Sequence, residues 1–357
     1  MTAADRLEVI VIGGGQAGLA AGYHLAKLGL DYFILDDGAR VGDPWRRRWD
    51  SLRLFTPARI NGLPGAPFPA APGAIVTKDQ VADYLESYAK RFGLRIRLGV
   101  RVETLTREGG SYEVKTADGH DLHADQVIVA TGSYPTLRVP KFAGQLDPAI
   151  TQLRSTEYRN ADQLPAGDVL VVGAGNSGAE IAIDAASSHR VRLAGRQTGR
   201  VPYQVMFWPP AFWVFTRLLS VDTPIGKRAA VYALTRGQPL VRVTPKHLAA
   251  AGIERVPRVA GVEAGKPRLE DGRVLDVETV VWCTGFDHSY PWIKLPITDE
   301  EGLIQHRRGI VTSQQRLYFV GLPFQHRVSS SLIAGVGEDA KYVVETVAST
   351  RSRQLRT

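Results

Sequence analysis

Cysteine is almost missing from this chain. One residue, Cys283, in 357 leaves no internal disulfide framework and no dithiol redox pair, so a disulfide reductase is disfavoured. A reducing compartment is expected, and the chain reads as cytoplasmic. Long apolar runs are lacking too: none approaches the roughly 20 residues of a membrane-spanning helix, so no integral membrane segment is expected. The opening MTAADRLEVIVIG carries acidic residues and runs directly into a strand pattern, which does not read as a cleaved signal peptide. Nor is there a long run of one charge. The net charge of +8 is spread over 44 basic residues, with WRRRW as the densest cluster, so no nucleic-acid partner is expected. Nucleotide phosphates are the better anionic partner, and no metal is expected.

What is present is 44% apolar and 22% charged, enough to bury substantial cores, at a length that suggests two domains. The opening segment reads as strand, glycine turn, helix and strand: LEVIVIG, GGQAG, LAAGYHLAKLG, DYFILD. Gly29 is a suitable helix stop. DVLVVGAGNSGAEIAIDAASSHRVRLAGR repeats the plan. Both are βαβ beginnings of doubly wound sheets. Each is followed later by an apolar strand that ends in a Thr-Gly turn, QVIVATG and TVVWCTG. Between them KDQVADYLESYAKRFG reads as a helix. The alternating stretch from IRLGVRVETL to VIVATG reads as a small antiparallel sheet. The last part, RLYFVGLPFQHRVSSSLIAGVGEDAKYVVETVAS, reads as strand, loop and helix returning to the first domain. Its three serines are candidate N-caps, and the tail TRSRQLRT is expected to fray.

The glycine spacing carries the chemistry. In Gly13-x-Gly15-x-x-Gly18 the first glycine permits a tight turn, the second admits a pyrophosphate to the backbone, and the third lets helix and strand pack closely. Gln16 and Ala17 open the helix, whose N-terminus offers free N–H groups to phosphates. Gly173, Gly175 and Gly178 repeat the pattern around Asn176 and Ser177. Twenty-three residues beyond each first glycine stands a residue of opposite charge. Asp36 can accept hydrogen bonds from ribose hydroxyls and repels a 2′-phosphate. Arg196 offers a planar fork to one, with Arg200 as a possible helper. The first cradle should hold an unphosphorylated adenosine, as in FAD or NAD, and the second NADPH. As an ordinary strand-end cation, Arg196 would do neither.

Taken in order, GGGQAG, GDPW (Gly42 to Trp45), ATG (Ala130 to Gly132), GAGNSG, CTGF (Cys283 to Phe286) and LYFVGLPF with GVGEDA resemble the flavin-containing monooxygenase family, including its short bacterial members and the plant YUCCA-type enzymes. The resemblance spans nearly the whole chain. It implies an α/β fold of two dinucleotide-binding, Rossmann-like domains, the NADPH domain (161–282) inserted into a discontinuous FAD domain (1–160 and 283–357). It implies FAD in the first cradle and NADPH in the second, with Trp45 near the flavin and Thr131, Gly132, Thr284 and Gly285 at the crossings between domains. The final helix, starting near Ser329 to Ser331, would point its dipole at the flavin pyrimidine. Nothing suggests that Cys283, in the apolar strand TVVWC, reacts.

Two departures matter. The family fingerprint FxGxxxHxxx(Y/F) is half present. Phe142, Gly144 and Tyr158 fit its ends, but the spacing is stretched and Arg154 stands where the histidine belongs, so a Baeyer–Villiger assignment is in doubt. Relatives also place an asparagine beside the flavin, in the loop that here reads LRLFTPARIN. Thr56 occupies that place, with Asn61 nearby, and these two are the candidate catalytic side chains. The implied reaction passes a hydride from NADPH to the flavin. Oxygen adds at the flavin C4a, and the peroxide delivers one oxygen atom to a sulfide, an amine or a carbonyl of a small organic substrate. A reductase passing electrons to a quinone, or a noncatalytic redox sensor, would use the same cradles. The aromatic stretch VPYQVMFWPPAFWVFTRLL suits a substrate passage, a homodimer contact, a shallow membrane contact or plain packing, and its paired prolines argue against one continuous helix.

Overall fold

The computed structural model describes residues 6–132, 136–201, 203–236, 238–287 and 289–354. Its strands run in chain order as β1 (Arg6–Ile12), β2 (Tyr32–Leu35), β3 (Ile96–Arg97), β4 (Val102–Glu108), β5 (Ser111–Thr116), β6 (Asp121–Val129), β7 (Thr136–Leu137), β8 (Thr151–Arg154) and β9 (Asp168–Val172). There follow β10 (Arg190–Ala194), β11 (Glu254–Val256), β12 (Val259–Glu263), β13 (Lys266–Leu269), β14 (Thr279–Trp282), β15 (Phe286–Asp287), β16 (His306–Arg307), β17 (Ile310–Val311) and β18 (Leu317–Phe319). The helices are α1 (Gln16–Lys27), α2 (Asp43–Arg46), α3 (Lys78–Arg91), α4 (Asn176–Ala185), α5 (Gln204–Phe207), α6 (Pro209–Leu218), α7 (Pro224–Arg236), α8 (Pro245–Ala250) and α9 (Ile333–Gln354).

Two Rossmann-type α/β units result. The first is built on parallel strands in the order β3-β2-β1-β6-β18, and the second on β11-β10-β9-β14-β8, also parallel. The two orders correspond strand for strand, with one difference. In the first sheet the fifth place is taken by β18, near the end of the chain; in the second it is taken by β8, which precedes the glycine loop. The expected antiparallel sheet exists as β4-β5-β6, but it is not separate. The nine-residue β6 pairs with β5 through its first half and with β18 through its second, fusing the hairpin to the parallel sheet.

Local chemistry sets the element ends. Gly29 takes φ +64 just past the end of α1, a left-handed stop that glycine adopts without strain. Thr77 and Gln80 form a full capping box on α3, satisfying two N–H groups at its start. The prolines of the aromatic stretch do break it: α5 stops at Phe207, and Pro209 and Pro210 open α6, where a missing N–H costs nothing. The C-terminal stretch departs from expectation. α9 stays helical to Gln354, its inner face of Val343, Val344 and Val347 buried against α1 and the first sheet; residues 355–357 of the tail lie outside the described part.

The two crossings between sheets meet. After β6 the chain leaves the first sheet through Thr131 and Gly132 (φ +82), and after β14 it returns through Thr284 and Gly285 (φ +87). The outgoing β7 and returning β15 pair antiparallel. Arg138 N–H donates to the Gly285 carbonyl at 2.8 Å, and the Thr284 hydroxyl donates to the Arg138 carbonyl. A short two-stranded ribbon thus joins the units.

Candidate functional site

Both glycine loops have the same shape. Gly13 sits at φ +106 and Gly173 at φ +111, while Gly15 (φ −75, ψ −171) and Gly175 (φ −76, ψ −171) lead into α1 and α4. A Cβ on Gly18 would fall 1.8 Å from the Gly13 carbonyl oxygen, and one on Gly178 1.8 Å from that of Gly173. Only glycine allows these helix starts to pack so closely. At Gly15 and Gly175 the situation reverses: nothing lies within 4 Å of a Cβ position, so each cradle has open room over its turn, where a pyrophosphate fits.

At the end of β2, Asp36 accepts from Gly14 N–H through one carboxylate oxygen and from Gly38 N–H at 2.9 Å through the other. The carboxylate is fixed in place with lone pairs to spare, as ribose hydroxyls require. Beyond β10, Arg196 is exposed and forms no ion pair among the described residues. Arg255 on β11, which sequence reasoning missed, reaches across to donate to the Gly195 carbonyl at 3.0 Å. Its Nε is buried with no partner, a spare donor of positive charge beside Arg196 that fits an anionic ligand. Its signal in the sequence was weak, a lone arginine in a short strand far from the glycine loop.

Other residues settle into roles that spacing alone did not separate. The Asn176 side chain is committed to protein: Nδ2 donates to the Pro239 carbonyl at 3.0 Å and Oδ1 accepts from Val241 N–H at 3.0 Å. It clamps the 239–241 segment over the start of α4 and leaves its backbone N–H as the group free to meet a phosphate. Ser177 follows in the first turn. In the first unit, Gln16 Nε2 donates to the Ser331 carbonyl and Trp45 Nε1 donates to Gln16 Oε1, each at 3.4 Å. That chain brings Gln16, Trp45 and Ser331 together at the head of α1, where buried Ala17 touches the bend at Gly321.

The serines before α9 do not all cap it. Ser330 Oγ accepts from His326 N–H at 3.1 Å and Arg327 N–H at 2.9 Å, bracing the preceding loop, and α9 begins at Ile333. Thr56 and Asn61 are brought together, both buried. The Thr56 hydroxyl donates to Asn61 Oδ1, and Asn61 Nδ2 donates to the Thr56 carbonyl at 2.8 Å. The hydroxyl proton is therefore spent, and the second N–H of Asn61 is the group left to donate. Tyr158, at the end of the fingerprint, is fully buried and donates to Asp184 at 2.7 Å, a structural anchor under α4. Cys283 packs behind the second loop, its Cβ 3.2 Å from where Gly178 would carry one, and burial pushes its thiol up to about 12. Such a thiol stays protonated and inert.

Comparison with known proteins agrees with this geometry. The family model for pyridine nucleotide-disulphide oxidoreductases matches residues 10–206, and a related model of the same description matches 116–321. A CzcO-like oxidoreductase of Geobacillus kaustophilus is 39% identical over 96% of this chain and 98% of its own. The indole-3-pyruvate monooxygenase YUCCA1 of Oryza sativa is 30% identical over 80% of this chain and 78% of its own. The solved flavin-containing monooxygenase from Stenotrophomonas maltophilia superposes with a TM-score of 0.78 at 27% identity, covering 97% of this chain and 99% of that one. Two complete dinucleotide cradles joined by a ribbon, together with these relatives, define a flavin-dependent oxidoreductase. The chain belongs to the flavin-containing monooxygenase family. Membership makes it an FAD-dependent monooxygenase and carries the family's cofactor pair, FAD and NADPH. Among the described residues no helix is long and apolar enough to cross a membrane.

Proposed function

We propose that FAD occupies the cradle of Gly13, Gly15 and Gly18, that NADPH occupies the cradle of Gly173, Gly175 and Gly178, and that the enzyme inserts one atom of molecular oxygen into a sulfide, amine or carbonyl of a small organic substrate. One observation carries the assignment: structurally equivalent positions hold a doubly anchored carboxylate, Asp36, and an unpaired guanidinium, Arg196. A 2′-phosphate is repelled by the first and bound by the second. Arg255, with its unpartnered Nε, reinforces the cationic end.

We place the FAD domain at 1–160 and 283–357 and the NADPH domain at 161–282, with one refinement: β8 hydrogen-bonds to β14 of the second sheet, so the outgoing boundary belongs at the ribbon, near residue 138. FAD supplies the redox chemistry when bound, and the protein's own residues position, shield and neutralise. Gln16 and Trp45 wall the head of α1. The N-terminal end of α9 offers positive dipole beside Ser331. Asn61 offers its second amide N–H as a hydrogen-bond donor, held in aim by Thr56. The single inert thiol suits the reducing cytoplasm, where we place the reaction.

Arg196→Ala is expected to raise the KM for NADPH about tenfold or more, the worth of a charge-assisted contact, and to leave that for NADH nearly unchanged. Equal effects on the two coenzymes would refute the assignment of the second cradle. For oxygenation, the purified enzyme is to be supplied with NADPH, labelled oxygen gas and a panel of one sulfide, one amine and one ketone. Label in the product supports the reading; hydrogen peroxide in proportion to NADPH consumed, with no labelled product across the panel, favours electron transfer to another acceptor.

A further inference from the structure

Surface apolarity is concentrated in one place. Of the ten large apolar side chains strongly exposed among the described residues, six belong to α6 and α7 and their approaches: Trp208, Val214, Leu218, Ile225, Val231 and Tyr232. Trp208 is 65% exposed, Ile225 62% and Val231 63%, values at odds with ordinary packing of an insertion.

The exposure is not that of a loose segment. The inner face of the segment is docked: Met206 of α5 and Phe212 of α6 are buried with Ile60 and Ala334. Val221 N–H donates to the His326 carbonyl at 2.9 Å, Val328 N–H donates to the Leu219 carbonyl at 3.1 Å, and Asp222 meets His326 Nε2 at 2.9 Å. One side of the α6–α7 segment is thus fixed to the loop before α9, and the other faces water with a crest of large apolar groups.

Charge identifies what covers that crest. Arg217, Lys227 and Arg228 stand exposed among the apolar groups, and none forms an ion pair among the described residues. Arg228 lies one helical turn from Val231 and Tyr232, and Lys227 one turn from Val231. Asp222 is the one acid in 203–236; its side chain is exposed but engaged with buried His326, so it offsets one of the three cations and leaves the face cationic. Two copies docked through this face would set cation against cation, which disfavours a symmetric dimer. Short amphipathic helices with Trp, Leu, Ile and Val at the crest and Lys and Arg beside them are built to lie in the interface of an anionic bilayer, apolar groups among the acyl chains and cations at the headgroups.

We propose that the α6–α7 segment docks the enzyme peripherally on anionic lipid membranes. The groove beside its foot, about 630 Å³ and lined by Ile60, Leu63, Pro209, Trp213 and Ala334 among others, then opens next to the bilayer, within reach of lipophilic compounds dissolved there.

Vesicle flotation of the flavin-loaded enzyme tests this. Binding to vesicles of phosphatidylcholine mixed with phosphatidylglycerol is expected at low salt, with little to phosphatidylcholine alone and release as salt rises. The triple variant L218E/I225E/V231E and the double variant K227E/R228E should each weaken binding at least about tenfold, with flavin content and NADPH oxidation rate unchanged as the check on folding. Lys141→Glu, a charge reversal on the connection between β7 and β8, should leave binding within about twofold if the α6–α7 segment rather than bulk charge is responsible. Absence of binding to the anionic vesicles overturns the proposal, as does an equal loss in Lys141→Glu. So does a concentration-dependent dimer in the ultracentrifuge that the triple variant abolishes while the parent ignores vesicles; that result would make a second copy the occupant.

Discussion

Glu180 is a buried carboxyl group whose two oxygens accept no hydrogen bond. Arg242 forms an ion pair with one of them at 3.2 Å, within hydrogen-bonding distance but poorly directed. Burial wins over that attraction and pushes the carboxyl from its ordinary 4.5 up to about 7. Since the unfolded chain ionises near 4.5 and the folded chain near 7, the side chain's contribution to stability is intact below the lower value and is lost as pH rises through the upper. Glu180→Gln should remove that loss. The variant is expected to match the parent in urea unfolding at about pH 4 and to exceed it at about pH 8 by at most about 3 kcal/mol, the worth of the shift. Parallel pH profiles for the two proteins would show that the carboxyl is already solvated or paired. Asn61 presents the opposite case, a polar group whose partner is supplied at close range, and Thr56→Val should free its Oδ1 and misaim its amide rather than simply remove a hydroxyl.

At the scale of elements, the two glycine loops give a paired test. Because a Cβ at Gly18 or Gly178 would meet a carbonyl oxygen at 1.8 Å, alanine at either forces its loop open. Gly18→Ala should purify with little bound flavin. Gly178→Ala should keep its yellow colour and lose NADPH-dependent reduction, as the ratio of flavin to protein absorbance and the anaerobic bleaching rate will report. Flavin loss in Gly178→Ala with retention in Gly18→Ala would reverse the assignment of the cradles. These loops were legible because their constraint is local: turn, close approach and helix start fall within six residues, and Asp36 and Arg196 follow at one strand's distance. The same holds for the capping box of α3 and the proline break before α6. What was hidden depended on contacts distant in sequence. Nothing near Asn176 says that its amide will be claimed by Pro239 and Val241, and nothing near Arg255 says that it will reach Gly195. The place of β8 is hidden for a related reason, since an edge strand of four residues carries too short a pattern to name its sheet. Aromatic density marked the α5–α7 region as unusual, but only packing tells which side chains of an amphipathic helix face inward.

For the whole molecule, the question is how two units joined by a short ribbon keep a common geometry. Independent cores make relative motion the default, and the hydrophobic clusters of the two sheets are indeed separate. Packing crosses between them at two places: Met206 and Phe212 of the second unit are buried with Ile60 and Ala334 of the first, and Trp49, with Leu52 beside it, reaches the other way. Trp49 follows α2 in the first unit, yet it is buried in the core of the second with Tyr158, Val171 and Leu240. Around it Asp50 N–H donates to the Arg159 carbonyl at 2.8 Å, and Asn160 Nδ2 donates to Asp50 Oδ2 at 2.8 Å. Trp49→Ala should cost about 3–5 kcal/mol, the usual price of emptying a buried aromatic site. Because that site is a principal packing link between the units, calorimetry should show one cooperative transition in the parent divide in two, with the second unit melting first. The indole Nε1 is buried without a partner, so it contributes packing and no hydrogen bond. Trp49→Phe keeps most of the packing and deletes the orphaned donor, and should therefore preserve the single transition at little or no cost. If Trp49→Phe divides the transition as Trp49→Ala does, the coupling resides in a polar contact of the indole and not in its volume. If neither does, the ribbon of β7 and β15 and the packing of Met206 and Phe212 on Ile60 and Ala334 suffice to hold the two cradles in register.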